Sequence, residues 1–141
     1  GVCCIISNKK KIGLMKVYSP ILKQYLYSLV QGFCDKNETS SIAIKREILE
    51  ETGIKVDKKD IKYLNKILPM HSLVKSKLAI YFTYLKNLDS SDFKLRQKEL
   101  GTGKIYFFNL KQIKKMLEKP HTFDLISYAA ISYFLIIKKN F

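Results

Sequence analysis

Between residues 32 and 54, a chain otherwise crowded with lysine concentrates its acid. Glu47, Glu50 and Glu51 fall at spacings of three and four, so on a helix they share one face and reach a common point. Three carboxylates brought that close repel one another unless a cation neutralises them, and hard oxygen donors suit Mg²⁺ or Mn²⁺. The segment also carries its own boundaries. Thr39, Ser40 and Ser41 offer side-chain oxygens where a helix start leaves amides without partners. Ile44 and Ile48 lie four apart for packing, and Gly53 stands where a left-handed residue commonly closes a helix. Arg46, four residues before Glu50, can hold that carboxylate or Glu38 in position. A solvated acidic helix face would show the same three glutamates, so the surrounding pattern has to decide.

The overall charge sharpens the contrast. The chain has 26 Lys+Arg against 12 Asp+Glu, a net charge of +14, and only Arg46 and Arg96 are arginine. Such an excess fits a polyanionic partner such as RNA or a nucleotide. It also fits a lysine-rich composition imposed by an AT-rich genome, since lysine without arginine reads bases poorly. With 141 residues and 47% hydrophobic content, one folded domain over residues 1–141 is expected. Cys3, Cys4 and Cys34 are an odd set without paired spacing, which argues against a disulfide framework or a zinc site and fits a reducing, cytoplasmic compartment.

The flanking segments predict alternating elements. Val2–Ser7 and Ile12–Tyr18 read as a hairpin around Asn8-Lys9-Lys10-Lys11, and Tyr25–Val30 as a third strand. Ile61–Leu68, Lys77–Leu85 and Ile105–Phe108 read as strands, Pro69–Lys75 as a loop and Asn87–Phe93 as a turn region. Leu110–Glu118 reads as a helix that stops before Pro120. Thr122 is expected to cap a last helix, Phe123–Ile137. That apolar stretch is short of the ~20 residues that span a bilayer, so no membrane partner is expected. It suits either the core or a homodimer face. The N-terminus opens directly into a strand pattern, and no signal peptide is read there. The order of elements is that of an α/β or α+β sandwich.

The pattern from Gly32 to Ile54 is Gly, five residues, Glu38, seven residues, Arg46-Glu47-Ile48-Leu49-Glu50-Glu51-Thr52-Gly53-Ile54. It resembles the Nudix box at every fixed position. The resemblance implies an α/β/α sandwich with a mixed β-sheet, the box forming a loop–helix–loop. It implies a Mg²⁺-dependent hydrolase (Mn²⁺ as an alternative ion) that cuts a diphosphate bond in a nucleoside diphosphate linked to another moiety. Glu47, Glu50 and Glu51 would be metal ligands and catalytic residues, joined by a backbone carbonyl of Gln31 or Gly32. Glu38 and Arg46 would brace the helix. Glu99 is the candidate general base, with Glu118 and His71 as weaker ones.

The lead into the box, Leu14 to Pro20 and Gln24 to Gly32, resembles the layout of ADP-ribose and ADP-sugar pyrophosphatases. Tyr27-Ser28-Leu29-Val30, Gly32-Phe33, Lys98-Glu99-Leu100 and Tyr106-Phe107-Phe108 also resemble the NADH pyrophosphatase branch. The chain departs from the first group with Val30 in place of proline and without extra N-terminal strands. It departs from the second at Leu68-Pro69-Met70-His71-Ser72 and in having no tryptophan. Tyr18, Tyr27 and Phe107 are candidates for stacking against a base, with core packing as the other reading of each. An ADP-ribose-like substrate is favoured. The alternatives are an RNA 5′-end pyrophosphohydrolase, since Gln31-Gly32 resembles that group's Pro-Gln-Gly lead, and a catalytically idle binding module on the same fold.

Overall fold

The computed structural model describes residues 1–69, 77–86 and 105–138. Seven strands form one mixed sheet: β1 (Val2–Asn8), β2 (Lys11–Ser19), β3 (Gln24–Ser28), β4 (Val30–Gly32), β5 (Ile61–Ile67), β6 (Leu78–Tyr84) and β7 (Ile105–Asn109). The strand order is β3-β2-β1-β6-β5, with β4 added against β1 and β7 against β2. β1 and β6 run parallel, Cys3 opposite Ile80 and Ile5 opposite Phe82, while the other pairs are antiparallel. β1 is buried along its whole length, as a strand covered on both faces must be.

Alternation along β1, β2 and β6 sends side chains to two separate cores. Cys3, Ile5, Ile12, Leu14, Ile80 and Phe82 face one layer. That layer holds Ile113 of helix α2 (Leu110–Leu117) and Ala130, Ile131 and Phe134 of helix α3 (Leu125–Ile137). Val2, Cys4, Ile6, Met15 and Tyr81 face the other, beneath Ala43, Ile44 and Ile48 of helix α1 (Ser40–Thr52). The result is the expected α/β/α sandwich, and the Ile44/Ile48 spacing does put both on the packed face of α1. Among the described residues no helix is long and apolar enough to cross a membrane. α3 fills the core on one side and leaves Leu125 and Ile136 exposed on the other.

Three local expectations are corrected. The third strand, expected as Tyr25–Val30, is split between β3 on β2 and β4 on β1. The break falls at Leu29, whose N–H donates to Ser127 Oγ (2.8 Å) on α3. Thr122 does not cap the last helix; it lies in a short 3₁₀ turn and its hydroxyl donates to the Lys119 carbonyl. Asp124 is the cap, its carboxylate accepting from Ser127 N–H at 2.9 Å, so α3 begins at Leu125. Thr39 stands at the N-cap of α1 without a side-chain capping bond. α1 does end at Gly53, in the left-handed region at φ 74°, with its N–H on the Leu49 carbonyl. The expected Pro69–Lys75 loop falls mostly, and the Asn87–Phe93 turn wholly, outside the described residues.

Candidate active site

β4 and α1 meet at the end of the sheet where β1 and β6 begin. There they border a cleft of about 510 Å³. Glu47, Glu50, Glu51, Arg46, Gln31 and Gly32 all line it. Its apolar lining comes from Met15, Val17, Leu78 and Ile126, with Phe33 following β4. Residues scattered between Gly1 and Leu78 thus come together with the first turn of α3.

Gly32 and the Glu47 side chain are in close contact. A Cβ placed there would overlap the Glu47 carboxylate. The backbone of β4 therefore runs directly against that acid, and a side chain at position 32 would have to push the carboxylate aside. One residue earlier, the Gln31 N–H donates to Glu51 Oε2 at 3.2 Å, so β4 contacts two of the three glutamates on α1.

Arg46 ties the remaining acids together. Its Nη1 donates to Glu47 Oε1 (2.8 Å) and Glu50 Oε2 (3.0 Å). Its Nη2 donates to the Phe33 carbonyl (2.9 Å) and Glu38 Oε2 (3.0 Å), and Nε to Glu38 Oε1 (3.2 Å). Asp35 stands 3.8 Å from Nε. The planar guanidinium grips both oxygens of Glu38, the bidentate geometry that favours arginine over lysine. Those hydrogen bonds, with one from the Asp35 N–H, hold the Glu38 carboxyl below its ordinary range, and they push Arg46 further up. The expected brace between Glu38 and Arg46 is present and extends to the loop backbone.

The donor set suits a hard divalent cation: three carboxylates and the β4 backbone border one cleft, and Gly32 leaves room for Glu47 beside the chain. As the side chains stand, no three acidic, histidine or cysteine groups among the described residues are gathered tightly enough to enclose an ion. Glu47 and Glu50 are turned to Arg46, and Glu51 to the Gln31 amide. Of the three glutamates hydrogen-bonded to Arg46, Glu50 is the most open, at 56% exposure.

The other sequence candidates are dispersed. Tyr18 and Tyr27 pair with Tyr25 and Lys16 across β2 and β3, on the sheet face that carries α2 and α3. Tyr27 is packed between Phe108 and Phe123, and Tyr18 lies edge-on to Tyr25. Phe107 shares the face of α1, packed over Gly13, and does not line the cleft. Glu118 closes α2, among Lys111, Lys114 and Lys115, away from the acids. Glu99 and His71 lie outside the described residues. The aromatic side chain that does border the cleft is Phe33, 82% exposed beside Gly32. Its signal in the sequence was an apolar residue opening an otherwise polar loop.

Comparison with known proteins identifies the domain and its fold. The NUDIX domain model matches residues 1–128. The NAD-capped RNA hydrolase NudC of Photobacterium profundum is 33% identical over 63 residues, covering 45% of this chain. The matched part spans 23% of that relative's length. Among solved structures, an ADP compounds hydrolase superposes with a TM-score of 0.77 at 20% identity, covering 98% of this chain and 71% of the other. A C. elegans Ap4A hydrolase in a binary complex superposes at 0.67 with 16% identity, over 99% and 98% of the two chains. At these identities the structural likeness establishes the fold.

Proposed function

The chain belongs to the NUDIX domain family, and on that premise we propose that it hydrolyses a diphosphate bond in a nucleoside diphosphate linked to a second moiety. The observation that carries the reading is the single cleft bordered by Glu47, Glu50, Glu51 and the Gln31–Gly32 backbone, with a glycine where any side chain would displace Glu47. Mg²⁺, or Mn²⁺ in its place, would be held by those three glutamates with a carbonyl of Gln31 or Gly32. When bound, it would lower the pKa of an attacking water and neutralise charge on the phosphoryl oxygens.

The chain's own groups divide the remaining work. Arg46 holds Glu47 and Glu50 in register and ties them to Glu38 and the Phe33 carbonyl, so the acids and the loop are positioned as one unit. The Gln31 N–H orients Glu51. Met15, Val17, Leu78 and Ile126 give the substrate an apolar wall that limits water at the reacting end. Phe33 offers a ring at the cleft on which a base or similar planar group can stack. Glu99 remains the general base proposed from the sequence.

An ADP-ribose-like substrate is the favoured class. The layout before the box and the name of the ADP compounds hydrolase that shares the fold both support it. A second reading is a diphosphate-linked RNA 5′ end. It draws on the identity with the NAD-capped RNA hydrolase and on the net charge of +14. A hydrolysis panel with Mg²⁺ tests both: ADP-ribose, NADH, diadenosine polyphosphates, oxidised dNTPs, and 5′-triphosphate and NAD-capped RNA. Turnover of ADP-ribose that vanishes in Glu51→Gln is the expected result. Turnover that survives Glu51→Gln would remove the metal-ligand assignment, and a folded protein inert on every substrate would leave the idle binding module.

A further inference from the structure

The end of the sheet opposite the cleft is a lysine surface. β1 runs about 20 Å from the cleft to that end. There the β1–β2 turn presents Lys9, Lys10 and Lys11, with Asn8 paired to Lys11. β7 ends beside the turn, Asn109 opposite Lys11, and leads into Lys111. β6 ends at Tyr84, followed by Lys86, and β5 starts just after Lys58 and Lys59, with Ile61 opposite Thr83. All seven lysines are exposed, as is Tyr84. Among the described residues, Asp57 and Asp60 are the acids at these strand ends. Among the described residues Lys59 alone of the seven makes an ion pair, 3.9 Å from Asp57.

The turn itself points to a use for the charge. Lys9 and Lys10 have φ values of 46° and 60°. A two-residue hairpin loop with both φ positive is the type I′ geometry, which favours Asn-Gly and penalises longer side chains. This chain places two lysines there instead. Among the described residues its cations are lysines and not arginines, so it supplies point charges for phosphates and little vocabulary for base edges. Tyr84 adds an exposed ring among them, and lysine with an aromatic platform is the combination that holds single-stranded nucleic acid without sequence preference.

We propose that this lysine end, centred on Lys9, Lys10, Lys11, Lys86 and Tyr84, binds the phosphodiester backbone of single-stranded RNA whose 5′ end enters the cleft. The proposal rests on the RNA reading of the cleft. The two ends of the molecule then divide the substrate: acids and a cation for the diphosphate, lysines for the polymer.

The test replaces Lys9→Asn, Lys10→Gly and Lys11→Gln together, a change that relieves the turn and so preserves the fold. A second variant carries Lys58→Gln, Lys59→Gln and Lys86→Gln. Binding of a fluorescent single-stranded RNA is measured by anisotropy across a salt series, alongside hydrolysis of ADP-ribose. Either variant is expected to bind RNA at least ~10-fold more weakly, with the logarithmic salt slope smaller by about 2, and to hydrolyse ADP-ribose like the wild type. Tyr84→Ala is expected to lose about tenfold in RNA binding with the salt slope unchanged. RNA binding unchanged in both lysine variants overturns the proposal. So does wild-type binding to phosphatidylserine vesicles as tight as to RNA, with the same loss in the variants, which would assign the surface to a membrane. RNA retention is read without turnover, so failure of ADP-ribose hydrolysis in the wild type strikes the diphosphate reading separately.

Discussion

The Glu47 carboxylate fills the volume that a side chain at Gly32 would need. The strand leading into α1 and the acid on it are therefore fitted to each other. Gly32→Ala forces that carboxylate aside while β4 stays paired with β1 through Gln31 and Val30. The expected outcome is a folded protein, by circular dichroism, that binds Mn²⁺ more weakly and hydrolyses ADP-ribose on the order of 100-fold more slowly. Wild-type Mn²⁺ affinity in Gly32→Ala would show that Glu47 takes no part in holding the ion.

Arg46 concentrates in one guanidinium the contacts that hold Glu38, Glu47, Glu50 and the Phe33 carbonyl. Lysine keeps the charge but cannot fork between them. Arg46→Lys is expected to lower kcat by at least ~10-fold and to lower the melting temperature. Equal kcat for the two proteins would mean the network is dispensable for positioning.

Glu38 gives a pH signature. Its carboxyl lies below the ordinary glutamate value of 4.5 in the folded protein, mainly through hydrogen bonds from Arg46. A group depressed on folding stabilises the native state above its unfolded pKa, and that contribution is lost as pH falls through the folded value. The stability difference between wild type and Glu38→Gln should be full above about pH 4.5 and shrink below it. Chemical denaturation at a series of pH values checks this, and a difference that grows toward acid would contradict the assignment.

Phe33 and Tyr27 should separate binding from stability. Phe33→Ala removes an 82% exposed ring at the cleft, so KM should rise by about 10-fold with the melting temperature unchanged. Tyr27→Ala removes a ring packed against Phe108 and Phe123 and should cost about 2–4 kcal/mol of stability with KM unchanged. The opposite pattern in steady-state kinetics and thermal melts would return the stacking role to Tyr27.

Much of the site was legible because its spacing is local. Three glutamates at helical intervals, a glycine after Thr52 and paired isoleucines report on a single element, and α1 bears them out. The alternation of β1, β2 and β6 was equally readable, since a strand buried on one or both faces must repeat every two residues. What failed depended on distant partners. Leu29 breaks the third strand because its N–H is taken by Ser127, 98 residues away. Thr122 lost the cap to Asp124, which was nearer the helix start and carries two acceptor oxygens. In the sequence Tyr18 and Tyr27 stand near the box entry and Phe107 in the late strand. Which face of the sheet each would occupy follows from pairing register, and register is set only when strands meet.

The sequence by itself determined the acidic helix, its ends and the strand periodicity, because those depend on neighbours within a turn or two of chain. Tertiary structure alone decided that Gly32 abuts Glu47, that Arg46 reaches Glu47 and the Phe33 carbonyl while it holds Glu38 and Glu50, and that Phe33 borders the cleft. It also decided that the acids and the lysine turn stand at opposite ends of the sheet. Those relationships rest on contacts between elements, and side-chain order along a chain carries no measure of distance across a folded sheet.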